Sequence, residues 1–288
     1  MRWREFFPVF TCYNAMGSIE AISIDFWNTL VDSSNGHQRR LARYDAVREV
    51  FEFINREWDE EAVDDAFHVS YETFEHNWYG HQRTMSASEC AHVVWDHLGI
   101  SIPDHVHDTI VRKFEDSILV GMPSLLPGAR GIVESLAARY KLALISDTAM
   151  SPGAILRKVL EKHDVAKYFD VMVFSDETGV AKPHPKAFST ALDALEVAPV
   201  NAVHVGDIER TDVVGAVRSG MRAILFRGDS SSRYHGDQHT GNSIAHGVAH
   251  SWEEVAAIIA EWNTPTITRV DGKRKPTAQR DDSSTKGC

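Results

Sequence analysis

The stretch 20-EAISIDFWNTL-30 decides how the rest of the chain is read. Residues 20–25 (EAISID) form a short apolar run that ends on an acid, Asp25, and read as a strand. The next strand-like run comes only at 141–146 (KLALIS). From there the rhythm quickens, with DVMVFS at 170–175, NAVHVG at 201–206 and MRAILF at 221–226. Helical patterns at 152–163, 184–196 and 210–219 lie between these runs. Strands alternating with helices predict βαβ units and a mostly parallel sheet. Ligands of such sheets bind at the carboxyl ends of the strands. Asp25, Ser146, Ser175 and Gly206–Asp207 fall at those ends, so four strands deliver polar groups to one edge.

Residues 34–121 lack strand-like runs. Leu41, Tyr44, Val47, Phe51 and Ile54 recur at helical spacing, as do Val63, Phe67, Phe74 and Trp78. Ser86 with Glu89 makes a capping box, and Val106, Ile110, Phe114 and Ile118 form a further stripe. These patterns predict about four helices inserted after the first strand. Their aromatic stripes are expected to pack the insert's own core, with a few residues lining the cleft. Gly121, Pro123, Pro127 and Gly128 punctuate the return to the sheet, and a helix over 251–262 closes the fold. The expected organisation is an N-terminal extension at 1–18, a Rossmann-like α/β core at 19–33 and 122–263, an all-helical cap at 34–121, and a disordered tail at 264–288. The Gly/Ser/His-rich segment 228–250 reads as a solvated loop rather than a metal site built on His235 and His239.

The chain has 288 residues, with 41 acidic against 30 basic side chains and a net charge of −11. The tail carries six Lys and Arg against three Asp, so the remainder sits near −14. A body that acidic argues against non-specific nucleic-acid binding, which needs a basic face. No run of about 18 apolar residues is present, so no membrane span is expected. Residues 1–15 are short and broken by Pro8, so they are not expected to act as a signal peptide. Cys12, Cys90 and Cys288 make neither a disulfide framework nor a zinc pattern, so a reducing cytoplasm is expected.

The groups with chemistry are Asp25, Ser146, Lys182 in GVAKPHP, and Asp207 with Asp212 five residues on. A hydroxyl, an ammonium and several carboxylates on one edge suit a phosphoryl group and a divalent cation. Hard oxygen ligands favour Mg²⁺, which would screen Asp25 from a phosphoryl dianion. Other readings stand beside these: Asp212 as the N-cap of a helix near Val213, and Lys182 as a surface lysine. Asp147 reads as a loop or helix-start residue, and His184 and His204 as partners in local hydrogen bonds. Glu209 and Arg210 read as solvated, with Arg210 in reach of the cleft mouth.

The set resembles the haloacid dehalogenase superfamily over residues 19–262, through DFWNT (Asp25–Thr29), Ser146, Lys182 in KPHP, and GDIERTD (Gly206–Asp212). The resemblance implies that Asp25 is a nucleophile carrying an aspartyl phosphate, and that Ser146 and Lys182 bind phosphoryl oxygens. It also implies that Asp25, the Trp27 carbonyl and Asp207 hold Mg²⁺, with Asp212 as ligand or support, and that Thr29 joins the phosphate-binding set and supports the loop. The departure is Trp27, where the family's phosphatases carry a second Asp as acid and base. A lost acid/base costs about 10²–10⁴ in rate. A cap residue such as Glu72, His76 or His81, a water chain or a good leaving group would have to serve. The first expectation is a Mg²⁺-dependent phosphatase of a small phosphorylated metabolite, because the cap would cover the cleft and exclude phosphoproteins. The alternatives are a hydrolase of carbon–halogen or carbon–phosphorus bonds and a non-catalytic ligand-binding homologue. The carbon–phosphorus branch would need a cap lysine, for which the cap offers only Lys113.

Overall fold

The computed structural model describes residues 17–229 and 243–264. The expectations for most of the N-terminal extension, for His235 and His239, and for the tail beyond residue 264 fall outside the described residues.

The chain enters the sheet through β1 (Ala21–Ile24) and leaves at once for four helices, α1 (Gly36–Phe53), α2 (Glu60–His81), α3 (Ala87–Leu98) and α4 (Asp104–Val120). It returns through α5 (Ala129–Ala137) to β2 (Lys141–Ser146), α6 (Gly153–Lys162) and β3 (Val171–Phe174). The single turn α7 (Ser175–Thr178), α8 (Pro185–Leu195), β4 (Ala202–Gly206), α9 (Val214–Arg218) and β5 (Arg222–Phe226) follow. The last elements are β6 (Gly247–Ala249) and α10 (Trp252–Trp262). Each strand expected from the sequence forms. The sequence reading misses β6, a three-residue edge strand, and the helix α5 that leads into β2.

All six strands are parallel, in the order β3-β2-β1-β4-β5-β6. The sheet is buried on both faces, so its strands read as near-continuous apolar runs. Ile22, Leu144, Val205 and Ile224 pack under α5, α6 and α10. Ala21, Ile145, Ala223 and Leu225 point the other way, under α8 and α9. Since β1 pairs with β2 on one side and β4 on the other, connections diverge from it in both directions. The crevice at its carboxyl end is the topological switch point.

The four inserted helices have their own core, built on Val47, Val50 and Phe51 of α1, Val63 of α2, Val94 of α3 and Phe114 of α4. Ser86 and Glu89 form the expected capping box at α3. Leu41 departs from its predicted stripe: it is 45% exposed and faces a surface groove between α1 and the end of α4. Among the described residues no helix is long and apolar enough to cross a membrane.

The two linkers between insert and sheet are tied together. Asp32 N–H donates to the Ser124 carbonyl at 2.9 Å, and Asp32 Oδ1 accepts from Ser124 N–H at 2.8 Å. Arg39 donates to the carbonyls of Ser34 and Gly121, each at 2.7 Å. Gly121 allows this approach, since a Cβ there would lie 2.6 Å from the Asn35 carbonyl oxygen.

Candidate active site

Asp25 follows β1 directly, its N–H held by the Val205 carbonyl of β4 at 2.9 Å. Lys182, buried rather than on the surface, donates from Nζ to Asp25 Oδ1 at 2.5 Å, Asp212 Oδ1 at 2.7 Å and the Ile145 carbonyl at 3.1 Å. Asp212 sits in a π-helical turn, Glu209–Val213, and not at a helix N-cap. Its Oδ2 accepts from Ile208 N–H at 3.0 Å and the Thr211 hydroxyl at 3.2 Å, and its Oδ1 from His204 Nε2 at 3.1 Å. Gly206 is required beneath it, because a Cβ there would lie 2.4 Å from Asp212 Cγ. Asp25, Asp207 and Asp212 are buried, each offering a carboxylate oxygen within 4.8 Å of the others.

Asp147 joins them from the end of β2. Its Oδ1 accepts from Lys182 N–H at 3.0 Å, and its Oδ2 from the Trp78 indole of α2 at 2.8 Å. Three buried carboxylates and the half-buried Asp147 therefore gather around one buried ammonium, which bonds Asp25 and Asp212 directly. Burial pushes the Asp25 carboxyl well above the usual range; Lys182 opposes this and Asp212 reinforces it. Burial likewise pushes Asp147 up to about 6, against the pull of Lys182. For Asp212 burial also raises, but Lys182 and His204 together outweigh it and hold the carboxyl below its usual range. Burial pulls Lys182 down, yet Asp212, Asp25 and Asp147 more than restore it, so it stays charged. Burial lowers His204 against the pull of Asp212; its Nε2 lies 3.1 Å from Asp212 Oδ1 and its Nδ1 2.8 Å from Ser23 Oγ. One ammonium thus bridges two carboxylates, Asp25 and Asp212.

These groups floor a cavity of about 580 Å³ between the sheet edge and the helical insert. Asp25, Trp27, Lys182, Asp207 and Asp212 line it, and so does Asp147. Ser146 and Thr29 do not: both are buried below the lining. Ser146 Oγ makes only a 3.3 Å contact to the Asp147 carbonyl. Thr29 accepts the Trp252 indole on its carbonyl at 3.0 Å, and its hydroxyl has no hydrogen-bond partner. Trp27 lies edge-on to Phe26, and the Arg39 guanidinium carbon stands 5.3 Å from its ring centre. The turn after it passes through Asn28 in the left-handed region, at φ 54°.

Glu72, His76 and His81 do not line the cavity, because α2 turns Phe67, Ser70, Tyr71, Phe74 and Trp78 toward it instead. Lys113 is ion-paired with Glu49 on the outer surface at 2.5 Å, away from the site. Arg210 stacks on Tyr79 of α2, 3.2 Å from the ring centre, and bridges core to insert. Glu209 accepts from Ser243, and His184 caps α8 through the Lys186 N–H. The sequence reading misses Asp147 and three arginines of α1, Arg39, Arg40 and Arg43, that also line the cavity. The signal for the arginines was present: with Gly36 they lie three, four and seven residues along one helix face.

The profile of a haloacid dehalogenase-like hydrolase matches residues 19–220. A glyceraldehyde 3-phosphate phosphatase from Pyrococcus abyssi is 36% identical over 103 residues, 35% of this chain and 42% of that protein. Haloacid dehalogenase-like hydrolase domain-containing protein 3 of Xenopus laevis is 33% identical over 129 residues, 44% of this chain and 51% of that one. The chain thus spans about half or less of the length of these relatives. A 2-haloacid dehalogenase from Pseudomonas syringae superposes with a TM-score of 0.64 at 20% identity, covering 85% of this chain and 99% of that one. It shares the fold.

Proposed function

The chain belongs to the haloacid dehalogenase-like hydrolases, and from that premise we propose that it is a Mg²⁺-dependent phosphatase of small phosphorylated metabolites. The observation that carries this reading is the charge deficit of the cavity floor. Three buried carboxylates, with the half-buried Asp147 beside them, are costly to gather around the Lys182 ammonium unless a cation joins them. Three of them, Asp25, Asp207 and Asp212, present hard oxygens close enough to share one ion. The donor set therefore fits Mg²⁺, with Asp25, Asp207 and the Trp27 carbonyl as ligands and Asp212 as ligand or support. The bonds to both Asp212 oxygens favour support: it orients Lys182 and His204. When bound, Mg²⁺ would neutralise the floor and the phosphoryl dianion together.

In this reading Asp25 attacks phosphorus, the bond to the leaving oxygen breaks, and the phosphoryl group rests on the Asp25 carboxylate. Water then cleaves that aspartyl phosphate and releases inorganic phosphate. Lys182, already at Asp25 Oδ1, holds a phosphoryl oxygen, and Ser146 and Thr29, buried below the lining, support the floor from behind. Trp27 supplies no proton, so leaving groups that need little protonation are favoured, such as acyl phosphates and sugar 1-phosphates. The roof over the cavity suits small substrates and excludes bulk water. The glyceraldehyde 3-phosphate phosphatase relative is in keeping with that class. The cysteine usage supports a reducing cytoplasm as the compartment. Trp27 also favours a second reading, hydrolysis of a carbon–halogen or carbon–phosphorus bond, where no leaving-group acid is needed.

The test is release of phosphate from para-nitrophenyl phosphate and acetyl phosphate, with and without Mg²⁺, by wild type and Asp25→Asn. Mg²⁺-dependent release that vanishes in the variant is the expected result. No release from either compound by folded protein would overturn the phosphatase reading, and 2-haloacids and phosphonates would then be assayed.

A further inference from the structure

The cavity is larger than a phosphoryl group needs, and its roof is as strongly cationic as its floor is acidic. One face of α1 turns Gly36, Arg39, Arg40 and Arg43 into it. The lining contributed by the inserted helices includes no acidic residue. Arg40 has a partial partner, Asp64 at 3.9 Å. Arg39 spends its donors on linker carbonyls. Arg43 is different. Its Nε donates to the Arg39 carbonyl at 3.2 Å, and no carboxylate lies within ion-pair distance of it among the described residues. Burial pulls its guanidinium down to about 10, and Arg39 adds to that. A half-buried cation without a counter-ion costs stability unless something else brings the anion. The start of α1 adds to the positive field, having no side-chain cap and no acid in its first turn. Between this face and the floor stand aromatic walls, Trp27 from the core and Phe67, Phe74 and Trp78 from α2.

We propose that Arg43, with Arg39 beside it, is the receptor for a second anionic group of the substrate. The substrate class is then a phosphoryl compound that bears a carboxylate or a second phosphate at the far end of a flat or apolar body. This rests on the phosphatase reading, since it places the transferred phosphoryl group at Asp25. The aromatic walls would sandwich the body. The planar fork of Arg43 suits either anion, by two parallel hydrogen bonds.

The experiment compares kcat/KM for phenyl phosphate, 4-carboxyphenyl phosphate and 1,4-phenylene bisphosphate, in Mg²⁺, for wild type, Arg43→Gln and Arg43→Lys. A charge-assisted pair predicts that wild type favours one or both of the substrates with an anionic tail by roughly 10- to 100-fold. The better of the two identifies the anion. Arg43→Gln should bring the ratio close to one, and Arg43→Lys should recover part of it. Equal turnover of all three esters by wild type, or a preference that survives in Arg43→Gln, overturns the proposal while leaving the phosphatase intact. If no ester is hydrolysed, the phosphatase reading fails separately, and binding decides this one. Calorimetry with (4-carboxybenzyl)phosphonate and benzylphosphonate should then show the carboxylated compound bound at least about tenfold tighter, an advantage lost in Arg43→Gln. Equal binding overturns it. Thermal melting guards against misfolding: an arginine kept for a ligand predicts a melting temperature unchanged or raised by a few degrees in Arg43→Gln. A marked fall would mean that Arg43 is a structural residue.

Discussion

The floor of the cavity sets three buried carboxylates and the half-buried Asp147 around one ammonium, whereas its roof sets three guanidinium groups on one helix face with no acid among the residues that the inserted helices contribute. The floor is assembled from distant parts of the chain, because β1, β2 and β4 end side by side. Asp212 is held by Ile208, Thr211, His204 and Lys182, and Asp147 by the Lys182 N–H and the Trp78 indole. The roof comes from consecutive turns of α1 and α2, and among the described residues no carboxylate lies within ion-pair distance of its Arg43. A floor fixed in this way suits bond making and breaking, which tolerates little displacement of the reacting groups. A roof on separate helices tied to the core by two linkers can change its side chains without disturbing that geometry. The contrast assigns reaction to the floor and selectivity to the roof.

The strongest way to break that division is at the floor. Asp25→Asn should lower phosphate release by at least about 10⁴-fold, as loss of a nucleophile does, while the circular dichroism spectrum stays that of the wild type. Turnover within tenfold of wild type would remove Asp25 from the reaction. Lys182→Met should follow in size. It strips the one cation from the buried cluster, so urea unfolding at pH 8 without Mg²⁺ should show a loss of about 3–5 kcal/mol. A loss below about 1 kcal/mol would mean that the carboxylates are not ionised together. Trp27→Asp tests the border between the regions. Restoring a positioned acid should raise kcat/KM on simple alkyl phosphates by about 10²-fold. No gain would mean that the site is shaped around the indole and that alkyl esters lie outside its range.

The same contrast explains what could be read from the sequence. Strand ends advertise themselves: an apolar run that stops on Asp25, Ser146 or Gly206–Asp207 marks both strand and edge. The five-residue step to Asp212 is local enough to see. Even there, Ser146 and Thr29 prove to lie under the lining, since side-chain depth depends on what packs above. The roof is less legible. Arginines on a helix are by default solvated, and only the packing of α1 over the sheet turns Arg43 inward. Glu72 and His76 look attractive as acids, yet Phe67, Phe74 and Trp78 set which face of α2 meets the cavity, and the two candidates fall outside it. Asp147 reads as a loop residue because its burial is supplied by Trp78, 69 positions earlier in the chain.

Asp147 is where floor and roof touch, and its titration gives the smallest of the expected effects. Its carboxyl is raised from 3.8 to about 6, chiefly by burial. Between those values the folded protein holds a proton that the unfolded chain has released, so this group's contribution favours folding most below pH about 4. The contribution is lost as pH rises through about 6, and above that the ionised carboxylate opposes folding. Asp147→Asn keeps an oxygen for the Trp78 indole and carries no charge to desolvate. Relative to wild type, the variant should therefore gain about 2 kcal/mol of stability between pH 4 and pH 7, read from urea midpoints without Mg²⁺. A stability difference that does not change with pH would show Asp147 to be ionised throughout, with the Trp78 and Lys182 hydrogen bonds outweighing its burial. The contact between floor and roof would then be a charged one, and the closed arrangement of α2 over the site would owe more to this carboxylate than to the aromatic packing around it.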